Sequence, residues 1–146
     1  MEKVKPKKHL GQHFLIDLSI AARIAEAVDG HMGVTQVLEI GPGMGVLTDF
    51  LVKGNLEVHL IEIDRESIAY LHQKYPDLQD RILEGDFLKF DLSTAFQAPI
   101  AVAGNFPYNI SSQIFFKVLE HKNQVTEVVC MLLKEVARRI ASPKGS

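Results

Sequence analysis

The chain has 146 residues, with 47% hydrophobic and 23% charged side chains, which fits one globular domain with a real core and excludes a disordered polyelectrolyte. A formal net charge of -2 gives no global field that would draw nucleic acid, so any RNA contact must be local. The single cysteine, Cys130, excludes an internal disulfide and reads as a buried, inert thiol in a reducing, cytoplasmic setting.

The first 16 residues are basic and then mixed, and are read as a separate segment ahead of a domain over 17–146. Lys5, Lys7 and Lys8, with Lys3, form a local basic patch. It reads either as an RNA contact or as a solvated tail. Leu10, Phe14 and Leu15 suggest that the segment docks on the domain. Asp17 is placed to cap a helix whose apolar residues Ile20, Ile24 and Val28 share one face, and Asp29-Gly30 ends it. Val37–Ile40 is a first strand. It runs into Gly41-Pro42-Gly43-Met44-Gly45, and Val46-Leu47-Thr48-Asp49-Phe50-Leu51 continues as a helix closed by Lys53-Gly54-Asn55. A second strand spans Glu57–Ile63. A helix over Arg65–Tyr75, with Ile68, Leu71 and Tyr75 inward, stops at Pro76. Arg81–Glu84 is a short third strand, and Ile100–Gly104 is a fourth that ends at Asn105-Phe106-Pro107-Tyr108. Ser111 or Ser112 caps a helix to about His121 carrying Ile114, Phe115, Val118 and Leu119. Glu127–Leu133 is a fifth strand, and Lys134–Ala141 a last helix. Strands alternating with helices, with the first and fifth reading as buried on both faces, define an α/β fold: a mostly parallel Rossmann-like sheet with helices on both faces.

In such a sheet ligands sit where the strands run out, near the reversal of strand order. The glycine turn has the spacing G-x-G-x-G, one residue shorter than the dinucleotide fingerprint. With Glu39 ahead of it, it looks like the loop of S-adenosylmethionine (SAM) methyltransferases; the alternative is a plain strand-to-helix turn. Glu62 ends the second strand about 20 residues after Gly41, the distance expected for a carboxylate that grips a ribose diol. Asp86 follows the third strand and can accept from an adenine amine, with Phe87 packed on the ring; equally, either acid can be a helix cap. Asn105-Phe106-Pro107-Tyr108 is the sharpest signal. The exocyclic nitrogen of adenine is a poor nucleophile because its lone pair is delocalised. Two acceptors, the Asn105 side-chain oxygen and the Phe106 carbonyl, would each take one N–H and localise that pair for attack on a sulfonium methyl. Pro107 would stiffen the turn and Tyr108 would stack on the base. The alternative is an Asn-x-Pro turn with Tyr108 packed beneath a loop. The scattered histidines offer no metal site, no stretch is long and apolar enough for a membrane, and no signal peptide is visible.

These motifs together, with Lys8-His9-Leu10-Gly11-Gln12-His13-Phe14-Leu15, Ile61-Glu62-Ile63-Asp64, Gly104-Asn105-Phe106-Pro107-Tyr108-Asn109-Ile110-Ser111-Ser112 and Lys134-Glu135-Val136-Ala137, resemble the KsgA-type small-subunit rRNA adenine dimethyltransferases. The resemblance implies SAM as cofactor. It implies dimethylation of the exocyclic amines of two adjacent adenosines in the 3′-terminal hairpin loop of small-subunit rRNA, within an immature subunit. It implies cofactor contacts from His13, Leu15, Gly41, Gly43, Glu62, Ile63, Asp86, Phe87 and Asn105, with Asn105 between cofactor and target base. Two departures are visible: His13 stands where the family usually has Asn, and Leu133 where it often has Gln. Family members continue past Ser146 with further strands and a small helical domain. The chain is therefore expected to be truncated to its catalytic domain, to bind SAM, to be weakly active or inactive, and to expose a fifth-strand edge open to self-association. Competing expectations are a large-subunit rRNA adenine methyltransferase of the resistance type and a non-catalytic rRNA-binding assembly factor. A dehydrogenase fits least, given the loop spacing.

Overall fold

A computed structural model describes residues 18–28, 30, 33–105 and 108–131. The elements in chain order are helix α1 (Leu18–Ala27), strand β1 (Gln36–Ile40), helix α2 (Val46–Leu51), strand β2 (Glu57–Glu62), helix α3 (Arg65–Lys74), strand β3 (Ile82–Glu84), helix α4 (Leu92–Ala95), strand β4 (Ile100–Asn105), helix α5 (Tyr108–Glu120) and strand β5 (Val125–Met131). The strands form one sheet in the order β3-β2-β1-β4-β5. Every neighbouring pair is parallel. The order reverses between β1 and β4, which opens a crevice at the carboxyl ends of those two strands.

Two apolar layers hold the sheet. On one face Val37, Leu60, Ala101 and Ala103 pack with Ala21 and Ile24 of α1, Leu47 and Leu51 of α2, and Ile68 and Leu71 of α3. On the other, Leu38, Ile40, Ile61 and Val102 pack with Phe87, Leu92, Phe96 and the α5 residues Ile114 and Val118. The central strands are covered on both sides, which is why they read as unbroken apolar runs. Leu71 is fully enclosed, and Leu71→Ala would cost about 2–5 kcal/mol in lost transfer energy and cavity.

Local chemistry sets the helix ends. Asp64 accepts from the backbone N–H of Ser67 at 2.9 Å and caps α3. Pro76 follows the helix and cannot extend its ladder. The chain instead makes a short 3-10 turn over Pro76–Arg81, which puts Leu78 in the core. Asp91 accepts from Ser93 and Thr94 and caps the four-residue α4. Neither piece is expected from the sequence. Helix α5 begins at Tyr108, earlier than a serine cap would place it, and Ser111 is fully buried inside it. Strand β5 begins two residues earlier than expected. Gln124 pins its start by donating to the carbonyls of Leu92 and Phe96 at 2.8 Å each. Leu133, the helix expected over Lys134–Ala141, Asp17 and the whole basic segment lie outside the described residues. Cys130 is half-buried, and burial pushes its thiol up to about 11.

Candidate functional site

The register of the sheet brings the sequence motifs to one level. Ile40 lies beside Ile61 and Gly104, and Glu62 beside Glu84. One residue further on, Gly41, Glu62, Glu84 and Asn105 therefore form a row across four strand ends. The Gly41 N–H extends the ladder by donating to the Ile61 carbonyl at 2.9 Å. Adjacent strands are about 5 Å apart, so Asn105 and Gly41 are immediate neighbours and Glu62 is one strand beyond. Strand alternation puts Glu62 with Leu60 and Asn105 with Ala103, on the face covered by α1, α2 and α3.

The turn after β1 has Gly41, Gly43 and Gly45 at φ 65, 57 and 86. At Gly41 the left-handed backbone is the whole requirement, because a Cβ there would meet nothing within 4 Å. Among the described residues, the space beside Gly41 is open. Glu62 is 2% exposed, yet it is the hub of the row. One of its oxygens accepts from Gly43 N–H at 2.9 Å. The other accepts from the N–H groups of Ile63 at 2.9 Å and Asp64 at 3.0 Å. A carboxylate can accept about four such bonds, so capacity remains for a ligand hydroxyl at the strand end. Ile63 next to it is 58% exposed, an apolar side chain at the rim of the row.

Asp86 is half-buried and caps the 3-10 turn Phe87–Lys89, its Oδ1 accepting from Leu88 N–H at 3.0 Å. Its second oxygen has no partner among the described residues. Phe87, expected to pack on the adenine ring, opens this turn. Its side chain is 3% exposed in the second apolar layer. The Lys117 ammonium sits 4.8 Å from its ring centroid. The phenyl ring completes a core there, while Asp86 before it is half-buried and Lys89 is exposed. Asn105 is half-buried at the end of β4. Helix α5 starts at Tyr108. Phe106, Pro107, His13, Leu15, Lys5, Lys7 and Lys8 lie outside the described residues.

Three polar contacts near the turns are not foreseen in the sequence, although Glu39 itself belongs to the loop signature. Glu39, on β1 beneath the turn, accepts from the Thr48 hydroxyl. Burial raises its carboxyl to about 8, the bond to Thr48 opposes that, and Glu62 and Asp49 add to it. Tyr75, Asp49 and Lys74 meet under the same turn. Lys117 donates to the carbonyls of Phe87 and Phe90. Burial lowers its ammonium pKa, opposed by Asp86, Asp91 and Glu120. Each feature joins residues far apart in sequence.

A parallel sheet reversing between β1 and β4, with a glycine turn and an acidic second-strand end, defines the Rossmann-like methyltransferase class. Solved structures agree. The chain superposes on a 23S rRNA methyltransferase, ErmE, with TM-score 0.69 and 32% identity, covering 86% of this chain and 50% of that one. It matches a dimethyladenosine transferase from Plasmodium falciparum with TM-score 0.70 and 30% identity, covering 92% and 48%. Residues 3–146 match the family model for ribosomal RNA adenine dimethylase, and the chain belongs to that family. Its curated relatives include the ribosomal RNA small subunit methyltransferase A of Parabacteroides distasonis, 56% identical over 146 residues, which are 100% of this chain and 54% of the relative. That of Bacteroides thetaiotaomicron is 55% identical, over 100% and 55%. The chain spans about half the length of these relatives. Among the described residues no helix is long and apolar enough to cross a membrane, and no group of three or more metal-ligating side chains gathers.

Proposed function

We propose that this chain carries the SAM site and the target-amine corner of an enzyme that dimethylates two adjacent adenosines in the 3′-terminal hairpin loop of small-subunit rRNA, on a cytoplasmic pre-ribosomal particle. The observation that carries the reading is the row Gly41, Glu62, Asn105, in which the glycine turn and the Asn-Phe-Pro-Tyr corner leave adjacent strands. The small-subunit assignment follows the printed names of the relatives.

SAM, when bound, supplies an electrophilic methyl group. The residues present fit it: open space beside Gly41, a carboxylate with spare acceptor capacity at Glu62, and an exposed apolar side chain at Ile63. Glu62 would take the ribose hydroxyls, Gly41 and Gly43 would line the cofactor, and Asp86 would accept from the adenine amine. Asn105 would accept one N–H of the target amine while the Phe106 carbonyl takes the other, with Pro107 and Tyr108 holding the base. Residues 1–16 would close over the cofactor through His13 and Leu15, and Lys5, Lys7 and Lys8 would meet rRNA phosphates. No general base is needed, because an amine loses its proton readily once methylated.

Asn105→Ala tests the assignment. Transition-state contacts appear in rate, so turnover should fall about 100-fold while S-adenosylhomocysteine affinity changes little. A change confined to affinity would assign Asn105 to the cofactor alone. Because the chain spans half of its relatives, it is expected to bind SAM and to methylate little by itself. Equal rates on undermethylated small subunits for this chain and for a relative of full length would refute that. Self-association through β5, the outer strand of the described sheet, would appear in sedimentation as a dimer. The second reading, a large-subunit enzyme, draws on the likeness to ErmE, and labelled methyl groups on large-subunit rRNA would favour it. If Asn105→Ala abolished methylation yet left rRNA binding and subunit maturation intact, an assembly-factor role would gain support.

A further inference from the structure

The structure assigns a positioning role to Asp49, Lys74 and Tyr75: they clamp the backbone of the glycine turn from below and so set its affinity for the cofactor. The assignment rests on the reading that this turn holds SAM. None of the three residues reaches the open side of the turn, and none belongs to a motif.

Three positive-φ glycines leave a turn with wide backbone freedom, and a ligand that must order it binds more weakly. Glu62 fixes one N–H of the turn, at Gly43. The clamp fixes the next two carbonyls. Lys74 Nζ donates to the Met44 carbonyl at 3.1 Å and to Asp49 Oδ2 at 3.1 Å. Tyr75 Oη lies 2.9 Å from the Gly45 carbonyl and also contacts Asp49. The Asp49 N–H donates to the same Gly45 carbonyl at 2.9 Å. Asp49 thus gathers an ammonium and a phenol, and both are aimed at carbonyls of the turn. The one phenol proton is shared between the Asp49 carboxylate and the Gly45 carbonyl; burial, with the carboxylate beside it, raises the phenol's pKa.

Gly45 records the same arrangement. A Cβ there would lie 2.6 Å from Tyr75 Oη, 3.0 Å from its ring and 3.3 Å from Lys74 Nζ. The glycine is therefore required twice, by φ 86 and by how closely the clamp presses on the turn. A tyrosine whose only job was to fill the core could keep its hydroxyl elsewhere. This one is 9% exposed and places its oxygen against the turn.

The test separates clamping from packing. Tyr75→Phe keeps the ring and deletes one oxygen; Lys74→Met keeps the stem and deletes the ammonium. S-adenosylhomocysteine binding by calorimetry should weaken about tenfold for Tyr75→Phe and about threefold for Lys74→Met, the range of one hydrogen bond's net contribution. Lys74→Arg should recover most of the loss. Amide exchange should accelerate at Gly43 and Gly45 while Leu60 in the sheet stays protected. Gly45→Ala should do less harm in the Tyr75→Phe background than alone, because part of its clash has gone. If the unaltered chain binds S-adenosylhomocysteine and both variants bind it equally well, the clamp is overturned. If the unaltered chain binds none, the SAM reading fails. The clamp is then judged by exchange alone, and unchanged rates at Gly43 and Gly45 in Tyr75→Phe overturn it.

Discussion

The turn after β1 and the turn after β3 hang from the same end of the sheet; each has a carbonyl held by a lysine, but only the first is also held at an N–H by a carboxylate. The glycine turn offers its Gly43 N–H to a carboxylate, Glu62, and rests above two more acids, Glu39 and Asp49. The Asp86–Phe90 turn offers carbonyls to an ammonium, Lys117, which reaches across from α5. The first turn has three positive-φ glycines and one bond of its own, from the Gly45 N–H to the Pro42 carbonyl at 2.9 Å. The second is a capped 3-10 turn. A loop built for close approach by a ligand needs external struts, and here they come from three separate elements. A loop that presents one side chain, Asp86, needs a single strut.

Glu62→Ala should do the greatest damage. It strands three N–H groups and removes the expected partner of the ribose. Stability should drop by about 2–4 kcal/mol in urea unfolding, and S-adenosylhomocysteine affinity by about 100-fold in calorimetry. Lost stability with unchanged affinity would reduce Glu62 to a strut and break its proposed ligand role. Glu39 gives the next effect, through pH. Its folded carboxyl is raised from 4.5 to about 8, so the folded chain keeps a proton that the unfolded chain releases. Stability is then greatest below the lower value and erodes as pH rises to about 8, with a limiting slope of about 1.4 kcal/mol per pH unit. Glu39→Gln should flatten that fall, seen as a urea midpoint that stays level between about pH 5 and about pH 8 while that of the unaltered chain drops. A slope equal to that of the unaltered chain would show that Glu39 is ionised beneath the turn. Lys117→Met should do least, about 1–2 kcal/mol, from two lost bonds to carbonyls. It should weaken S-adenosylhomocysteine binding far less than Glu62→Ala. Losses of similar size would erase the contrast between the two turns.

The strands were legible because burial on both faces writes a continuous apolar run, as in Val37-Leu38-Glu39-Ile40 and Ile100-Ala101-Val102-Ala103. Glu39 was legible as part of the loop signature; that it lies buried against Thr48 depends on how α2 folds back. The short 3-10 turn at Pro76 and the four-residue α4 were hidden, since single turns carry no periodicity. The row of Gly41, Glu62 and Asn105 was readable because each position ends a strand, and strand ends of one sheet must converge. Tyr75 was read as an inward apolar residue, which is half of its role. Its hydroxyl, with Asp49 and Lys74, meets a backbone 30 residues earlier, and local sequence holds no trace of that meeting. The burial of Phe87 was hidden because the residue after an acidic strand end can face the crevice or the core, and the Lys117 ammonium by its ring lies 30 residues away in the chain.

The pairing of Val37 with Ala101 spans about 60 residues of chain. During synthesis β1 can therefore join β2 early, while its other edge waits for β4 to emerge. That interval is when a nascent chain is exposed to wrong partners. The crevice itself is born late, all at once, when the fourth strand docks: no half-made version of it can hold a ligand, and a ligand present at that moment would favour completion over error.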